Sequence, residues 1–390
     1  MSSPLSYSKA PRGWRLLSAS LAFLLLVSLL LGGCQAVPTA APAPTLTGAA
    51  ARPLPPETQP SERVPLVVFG AGSLIIPFDH LEKAFELRYP DIDVQAQYHG
   101  SIQVIRHATE LHEAIDVIAT ADASLIPMLM YESQVPESGA AYADWYIRFA
   151  SNRLALAYTG QSKYAGEINL DNWYQVLSRR DVRTGLADPR FDASGYRALM
   201  AFALANDYYQ QPAIFLDMFN GRFQYPVTIF QDEELTTLTV PEIVEPVPDT
   251  GLVIRGASIQ LIALLQSGEL DYAFEYESVI RQHGLEMFSL PEALNLGSPE
   301  ADYSHVLVEL DFQRFQSVKP EFRGERIGYG ITIPSNAPHP EQAALFIEFL
   351  LSEEGRVLML ADQHPLFDPA LAYNYANLPP ALQALCAPAE

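Results

Sequence analysis

From Val64 onward the chain alternates short apolar runs with amphipathic segments. Residues 64–70 (VPLVVFG) form an apolar run ended by glycine, the pattern of a buried strand. After them, Phe78, Leu81, Phe85 and Leu87 recur at near-helical spacing, and Pro90 closes the segment. Ile92, Val94, Ala96 and Tyr98 alternate, which predicts a strand. Residues 101–113 read as a helix opening on Ser101, and AIDVIATAD as a strand ending at Asp122. An order β-α-β-α-β implies a mainly parallel sheet with helices on both faces. Ligands of such sheets settle beyond the strand C-termini, where loops enter helices. Ser73 and Ser101 both fall at junctions of that kind.

The pattern continues with a strand at 153–159 and a short helix that packs Trp173 inward. A strand then runs to Ala187, and a long helix begins at about Ser194. A further helix runs from Ser258 to about Ser267 and is followed by a strand through Tyr276. Near the end come a strand, a Pro-rich turn and a helix ended at Gly355. Residues 231–251 are acidic and Pro-rich and read as an excursion without deep burial. No internal repeat is visible. The residues after 64 exceed one usual core, so two domains or lobes are expected.

The N-terminus has a different pattern. Lys9, Arg12 and Arg15 precede an apolar run, 16–31, that ends in Leu31-Gly32-Gly33-Cys34. This is the layout of a secretory signal, and the run is short of the ~20 apolar residues of a membrane span. Leu-Gly-Gly-Cys resembles the lipobox of bacterial lipoproteins, which implies cleavage before Cys34 and lipid on its thiol and new N-terminus. A plain signal peptide with an incidental cysteine is the alternative. Cys386 is the second of two cysteines, so a lipidated Cys34 leaves no internal disulfide to build. Residues 35–63, rich in Pro, Ala and Thr, read as a tether. Together these features predict an extracytoplasmic body, lipid-anchored to the outer face of the cell membrane.

Charge narrows the partners. The chain has 46 acidic and 24 basic residues and a formal net charge of −22. That argues against nucleic acid, whose ligands are basic. A small anion remains possible in a site built of neutral donors. Four predicted helix starts carry small hydroxyl residues: Ser73, Ser101, Ser194 and Ser258. Each alone reads as an ordinary N-cap; four converging in one cleft would form a cradle of N–H and O–H donors. Arg197 either joins such a site or snorkels from a helix surface. Asp192, in FDASGYR, either caps a helix or bonds a metal centre. Enzymatic motifs are missing: no G-x-S-x-G, H-E-x-x-H, Walker-type or G-x-G-x-x-G segment occurs. Glu275 and Glu277 imitate a carboxylate pair but read as one polar strand face. His107 and His112 lack metal spacing, and Tyr272 and Tyr276 read as strand packing.

Specific stretches carry a resemblance. AGSLIIPF, GSIQVIRHATEL, DVIATADASLIP, DASGYRALM, SGELDYAFEYESV and YGITIPSNAPHPEQAALFIEFLLSEEGR resemble, in order, the tungstate/molybdate-binding proteins of the archaeal-type ABC transport family. The resemblance implies a class II periplasmic-binding-protein fold: two α/β lobes joined by two hinge strands, with the ligand cleft between them. Lobe I would comprise 64–150 plus 325–390, and lobe II 151–324. The implied function is capture of molybdate or tungstate by a monomer for an ABC transporter permease, without enzymatic activity or cofactor. Sulfate or another tetrahedral oxyanion is the alternative cargo. The family's ligand contacts fall on Gly72, Ser73, Ser101, Asp192, Ala193, Ser194 and Tyr276, with Asp192 lending an oxygen to the Mo or W itself. Where the family usually has a second carboxylate, at the start of the LIALLQSG helix, this chain has Ser258. Oxo groups plus two carboxylates complete an octahedron; one carboxylate does not.

Overall fold

The computed structural model describes residues 63–311 and 320–389. The predicted signal segment, Cys34 and almost all of the tether lie outside the described residues.

The strand Val64–Ala71, one in from the edge of its sheet, is flanked on both sides by parallel partners. It pairs with Ile92–His99 in the register Val64↔Ile92 to Ala71↔His99, and with Val117–Thr120 through Val68↔Val117. Leu66, Val68, Phe69 and Ala71 are all buried, because helices cover both faces of the strand. Tyr329–Thr332 joins antiparallel to Val117–Thr120, and Tyr146–Ala150, Leu366–Tyr373 and Cys386–Pro388 complete a seven-stranded sheet. A five-stranded sheet runs Glu286–Ser289, Leu154–Tyr158, Tyr272–Tyr276, Thr184–Ala187, Leu252–Arg255. A four-stranded sheet runs Glu321–Arg323, Val306–Asp311, Thr236–Pro241, Thr228–Gln231. The seven-stranded sheet thus draws on two separate stretches of chain, and the other two sheets fill the sequence between them. The connections run through 151–153 and 324–328.

Several boundaries differ from the pattern-based expectation, each for a local reason. The first long helix is Ile75–Arg88, with Pro77 in its opening turn, where no backbone donor is needed. The helix opening on Ser101 stops at Thr109, and His112 beyond it takes a left-handed φ of 55°. Gly355 does not end a helix. Ser352 separates Pro340–Leu351 from Glu353–Ala361, and its hydroxyl accepts from the Gly355 N–H at 3.2 Å. A Cβ on Gly355 would strike the Phe349 and Leu350 carbonyls, so this glycine permits close packing. Residues 231–251 are not a shallow excursion. Thr236, Leu238 and Val240 point inward from a strand paired in parallel with Val306–Asp311.

Candidate functional site

Four chain segments meet beyond the strand ends. The loop after Val64–Ala71 turns through Gly72–Leu74 into a helix, and a Cβ on Gly72 would stand 3.0 Å from Ile259 Cγ2. Gly100 lies against the Phe191 carbonyl and 3.1 Å from Asp192 Cβ, as measured from the Cβ it lacks. The Phe191 carbonyl in turn accepts the Ile102 N–H at 3.0 Å, one of the orphan donors at the start of the Ser101–Thr109 helix. The Ser258 N–H donates to Asp192 Oδ2 at 3.1 Å. Gly72, Ser73, Ser101, Asp192, Ala193, Ser194 and Ser258 are therefore gathered around one buried spot, from both groups of sheets.

The serines do not cap their helices with their side chains. Ser73 sits in a short 3-10 turn, Ser101 is the first residue after the Gly100 cap, Ser194 is the second residue of Ala193–Tyr208, and Ser258 makes no side-chain cap bond. Their hydroxyls face other tasks. Ser101 Oγ accepts the Ala121 N–H at 2.9 Å. Ser73 Oγ lies 2.8 Å from Tyr329 Oη, which itself receives the Asn152 amide at 3.1 Å. Tyr276 Oη accepts from Arg197 Nη1 at 2.7 Å. Ser101 and Tyr276 thus each accept from a protein donor, whereas in the Ser73–Tyr329 pair either hydroxyl can donate. The O–H protons of Ser101 and Tyr276 are left to point elsewhere. The buried Ser194 Oγ makes no well-formed hydrogen bond, though it stands close enough to the Asp192 carboxylate to lower its pKa. Hydroxyls poised as donors, without a lysine among them, suit an anion with oxygens on several sides.

Asp192 takes the capping role, one of the two that its sequence context allowed. Its Oδ1 caps Ala193–Tyr208 by accepting the Ser194 N–H at 2.9 Å, while Oδ2 reaches Ser258. Burial raises its pKa, against the lowering pull of the Ser194 and Ser258 groups and of Arg197. Beside it stands Glu275, completely buried on the strand Tyr272–Tyr276. Burial first, and then the charge on Asp192, push its carboxyl up to about 8, with the Tyr276 N–H and the Ser258 side chain opposing. Glu275 Oε1 accepts the Tyr276 N–H at 2.7 Å, and Oε2 is buried without a hydrogen-bond partner. At neutral pH this carboxyl holds its proton and adds one more donor group.

Arg197 does not snorkel. It is buried, with Nη1 also donating to the Ala121 carbonyl at 2.7 Å and Nη2 3.1 Å from Asp122 Oδ2. Tyr196 Oη donates to the same carboxylate at 2.5 Å. Ala121 and Asp122 follow the seven-stranded sheet; Tyr196, Arg197 and Tyr276 belong to the stretch between its two parts. The network is thus a clasp across the cleft.

Sequence reasoning missed Glu275, Tyr329, Asn152 and Asp122 as members of this site. Glu275 offered a signal: it is an acid inside YAFEY, a strand buried on every residue, so a single polar face was the wrong reading. Glu277 lies beyond that strand and pairs with Arg281 on the surface at 2.8 Å. Tyr272 is packing, its hydroxyl donating to the Lys163 carbonyl at 2.6 Å. His107 stacks on His99 at 4.5 Å and meets Glu113, while His112 meets Tyr142.

Comparison with known proteins follows this geometry. Residues 66–360 match the model of the bacterial extracellular solute-binding proteins. An uncharacterized solute-binding protein of Methanoculleus marisnigri is 38% identical over 326 residues, covering 83% of this chain and 87% of its own. The molybdate/tungstate-binding protein WtpA of Thermococcus kodakarensis is 35% identical over 329 residues, covering 82% and 86%. WtpA of Pyrococcus abyssi is 36% identical over 334 residues, covering 82% and 89%. Among solved structures, the sulfate-binding protein SubI from Mycobacterium tuberculosis superposes with a TM-score of 0.50 at 12% identity, covering 79% of this chain and 88% of that one. The substrate-binding protein of an ABC transporter from Agrobacterium tumefaciens also gives 0.50, at 15% identity and 79% and 80% coverage. At such identities the likeness shows the fold alone, an α/β solute-binding architecture of two lobes.

Proposed function

We propose that this chain, which belongs to the bacterial extracellular solute-binding proteins, captures molybdate or tungstate outside the cell and delivers it to the permease of an ABC transporter. The relatives are transport proteins, not enzymes. The observation that carries the ligand reading is the orientation of Ser73, Ser101 and Tyr276. Ser101 and Tyr276 accept from within the protein and keep their protons for an oxyanion, and Ser73 shares a hydrogen bond with Tyr329 in which either oxygen can donate. Asp192 lends an oxygen to the metal atom of the anion, a contact open to Mo or W and closed to sulfur. Gly72, Ala193 and Ser194 supply close backbone approach, and helix N-termini add a favourable potential. The lobes close on the anion by bending at 151–153 and 324–328. The protein acts as a monomer held to the membrane by lipid on Cys34.

Ser258 favours a second reading. Without a carboxylate at that helix start, the site resembles one for any tetrahedral oxyanion, sulfate included. Calorimetric titration with tungstate, molybdate, sulfate and phosphate separates the two. Tungstate and molybdate are expected to bind far more tightly than the others. Equal or tighter binding of sulfate would overturn the metal-contact reading.

A further inference from the structure

A second basic feature lies away from the oxyanion site, on the two connections between the sheets. A cavity of about 490 Å3 opens there, with Arg153 and Asn152 from one connection, Arg326 from the other, and Arg281 and Ser278 from the helix Glu277–Gln282 in its wall. It shares Asn152 with the cradle but none of the residues assigned there to the ligand.

The charge balance in this cavity is unlike that of the rest of the molecule. The chain carries a net charge of −22, yet three arginines meet here against one acid, Glu277, which is paired with Arg281. Among the described residues the guanidinium groups of Arg153 and Arg326 make no ion pair, and Arg326 Nε is buried without a hydrogen-bond partner. Burial and the neighbouring charges of Arg148 and Arg153 lower the pKa of Arg326, so these cations repel one another. The arrangement is built rather than floppy. Gly297 packs against the stem of Arg153, with no room for a side chain of its own. Ser151 Oγ donates to the Ile327 carbonyl at 2.9 Å, tying one connection to the other, and Asn152 donates to Ser278 Oγ at 2.8 Å. Repelling cations held in place around a cavity call for a counter-charge, and planar guanidinium forks match carboxylate and phosphate oxygens.

We propose that this cavity is a second anion site, for a small phosphate or di- or tricarboxylate, seated on the connections about which the lobes bend. The anion bridges Arg153 and Arg326 and draws in Arg281, joining the two connections through one ligand. The site does not depend on which oxyanion the cradle takes.

Titration of the protein with inorganic phosphate, succinate and citrate tests it. At least one of them is expected to bind saturably. Arg153→Gln should weaken that binding about tenfold or more, as loss of a charge-assisted contact does. Ser101→Ala, a change in the cradle, should leave it unaltered. If Arg153→Gln melts early, Arg281→Gln, on a surface helix, is expected to give the same loss. The proposal is overturned if none of the three anions binds, if the arginine variants bind as the parent does, or if Ser101→Ala rather than Arg153→Gln abolishes binding. The phosphate and carboxylate arms tell which oxygen chemistry the site prefers.

Discussion

In the proposed function, Asp192 is the residue on which selectivity turns. A carboxylate brought against an anion is repelled unless it gains a bond, and only an expandable centre such as Mo or W offers one. Asp192→Ala is therefore expected to weaken tungstate binding while strengthening sulfate binding, which a competition titration reads directly. Its capping bond to Ser194 predicts a stability loss of about 1 kcal/mol as well. An unchanged tungstate-to-sulfate ratio with a lower Tm would leave Asp192 as a cap only. Glu275 makes a different prediction, in pH. Its pKa lies at about 8 in the folded protein against an ordinary 4.5, so the native state holds a proton that the unfolded chain releases. The stability this contributes is complete below about pH 4.5, declines as pH rises, and is lost through pH 8. Glu275→Gln should flatten that decline in denaturant melts of ligand-free protein. Some slope will persist from Asp192, whose pKa is raised in the same direction. A variant with the parent's pH profile would place the titration elsewhere.

At the scale of elements, the helix starts were legible and their side-chain roles only partly so. Spacing alone located Ser101, Ser194 and Ser258 within a residue or so of their helix starts, because a strand run followed by a small hydroxyl residue and an amphipathic stretch has few other readings. It could not tell capping from ligand contact, since that depends on which neighbour fills the acceptor side of each oxygen. Ala121 and Arg197 do so for Ser101 and Tyr276 from distant segments. Glu275 escaped for a related reason. Alternation assigns one face of a strand to water, and here both faces are covered. The strand Thr236–Pro241 was hidden by its acidic, Pro-rich flanks, although its own alternation is regular. The expected consequence for the helix starts is measurable. Ser73→Ala and Ser101→Ala should each lower oxyanion affinity by about 1.5–3 kcal/mol and barely move Tm. Lower Tm at full affinity would return these serines to a structural role.

For the whole molecule, the seven-stranded sheet draws on two separated stretches of chain, which strand and helix periodicity did not reveal and only the family resemblance implied. The arginine cavity on the connections was not legible. Arg153, Arg281 and Arg326 are scattered through the sequence and meet only once both connections are folded. The proposed attachment to the membrane rests on the chain's first segment, through Cys34. Cys34→Ser is expected to shift the protein from the membrane fraction to the soluble one and to remove incorporated lipid label; retention of both would assign the anchor to another feature.

The bond from the Ile102 N–H to the Phe191 carbonyl joins the two sides of the cleft through peptide groups alone. Such a joint is indifferent to most substitutions, since every residue type carries the same amide. Evolution can therefore retune the cargo by exchanging side chains around Ser73, Asp192 or Ser258 without disturbing how the jaws meet. The weak point is Gly100, where a single added carbon would collide with that carbonyl. Gly100→Ala should prop the jaws ajar, so that small-angle scattering of the variant with saturating tungstate keeps the larger radius of the empty protein. A normal contraction on binding would mean that the joint follows closure and does not help to set it.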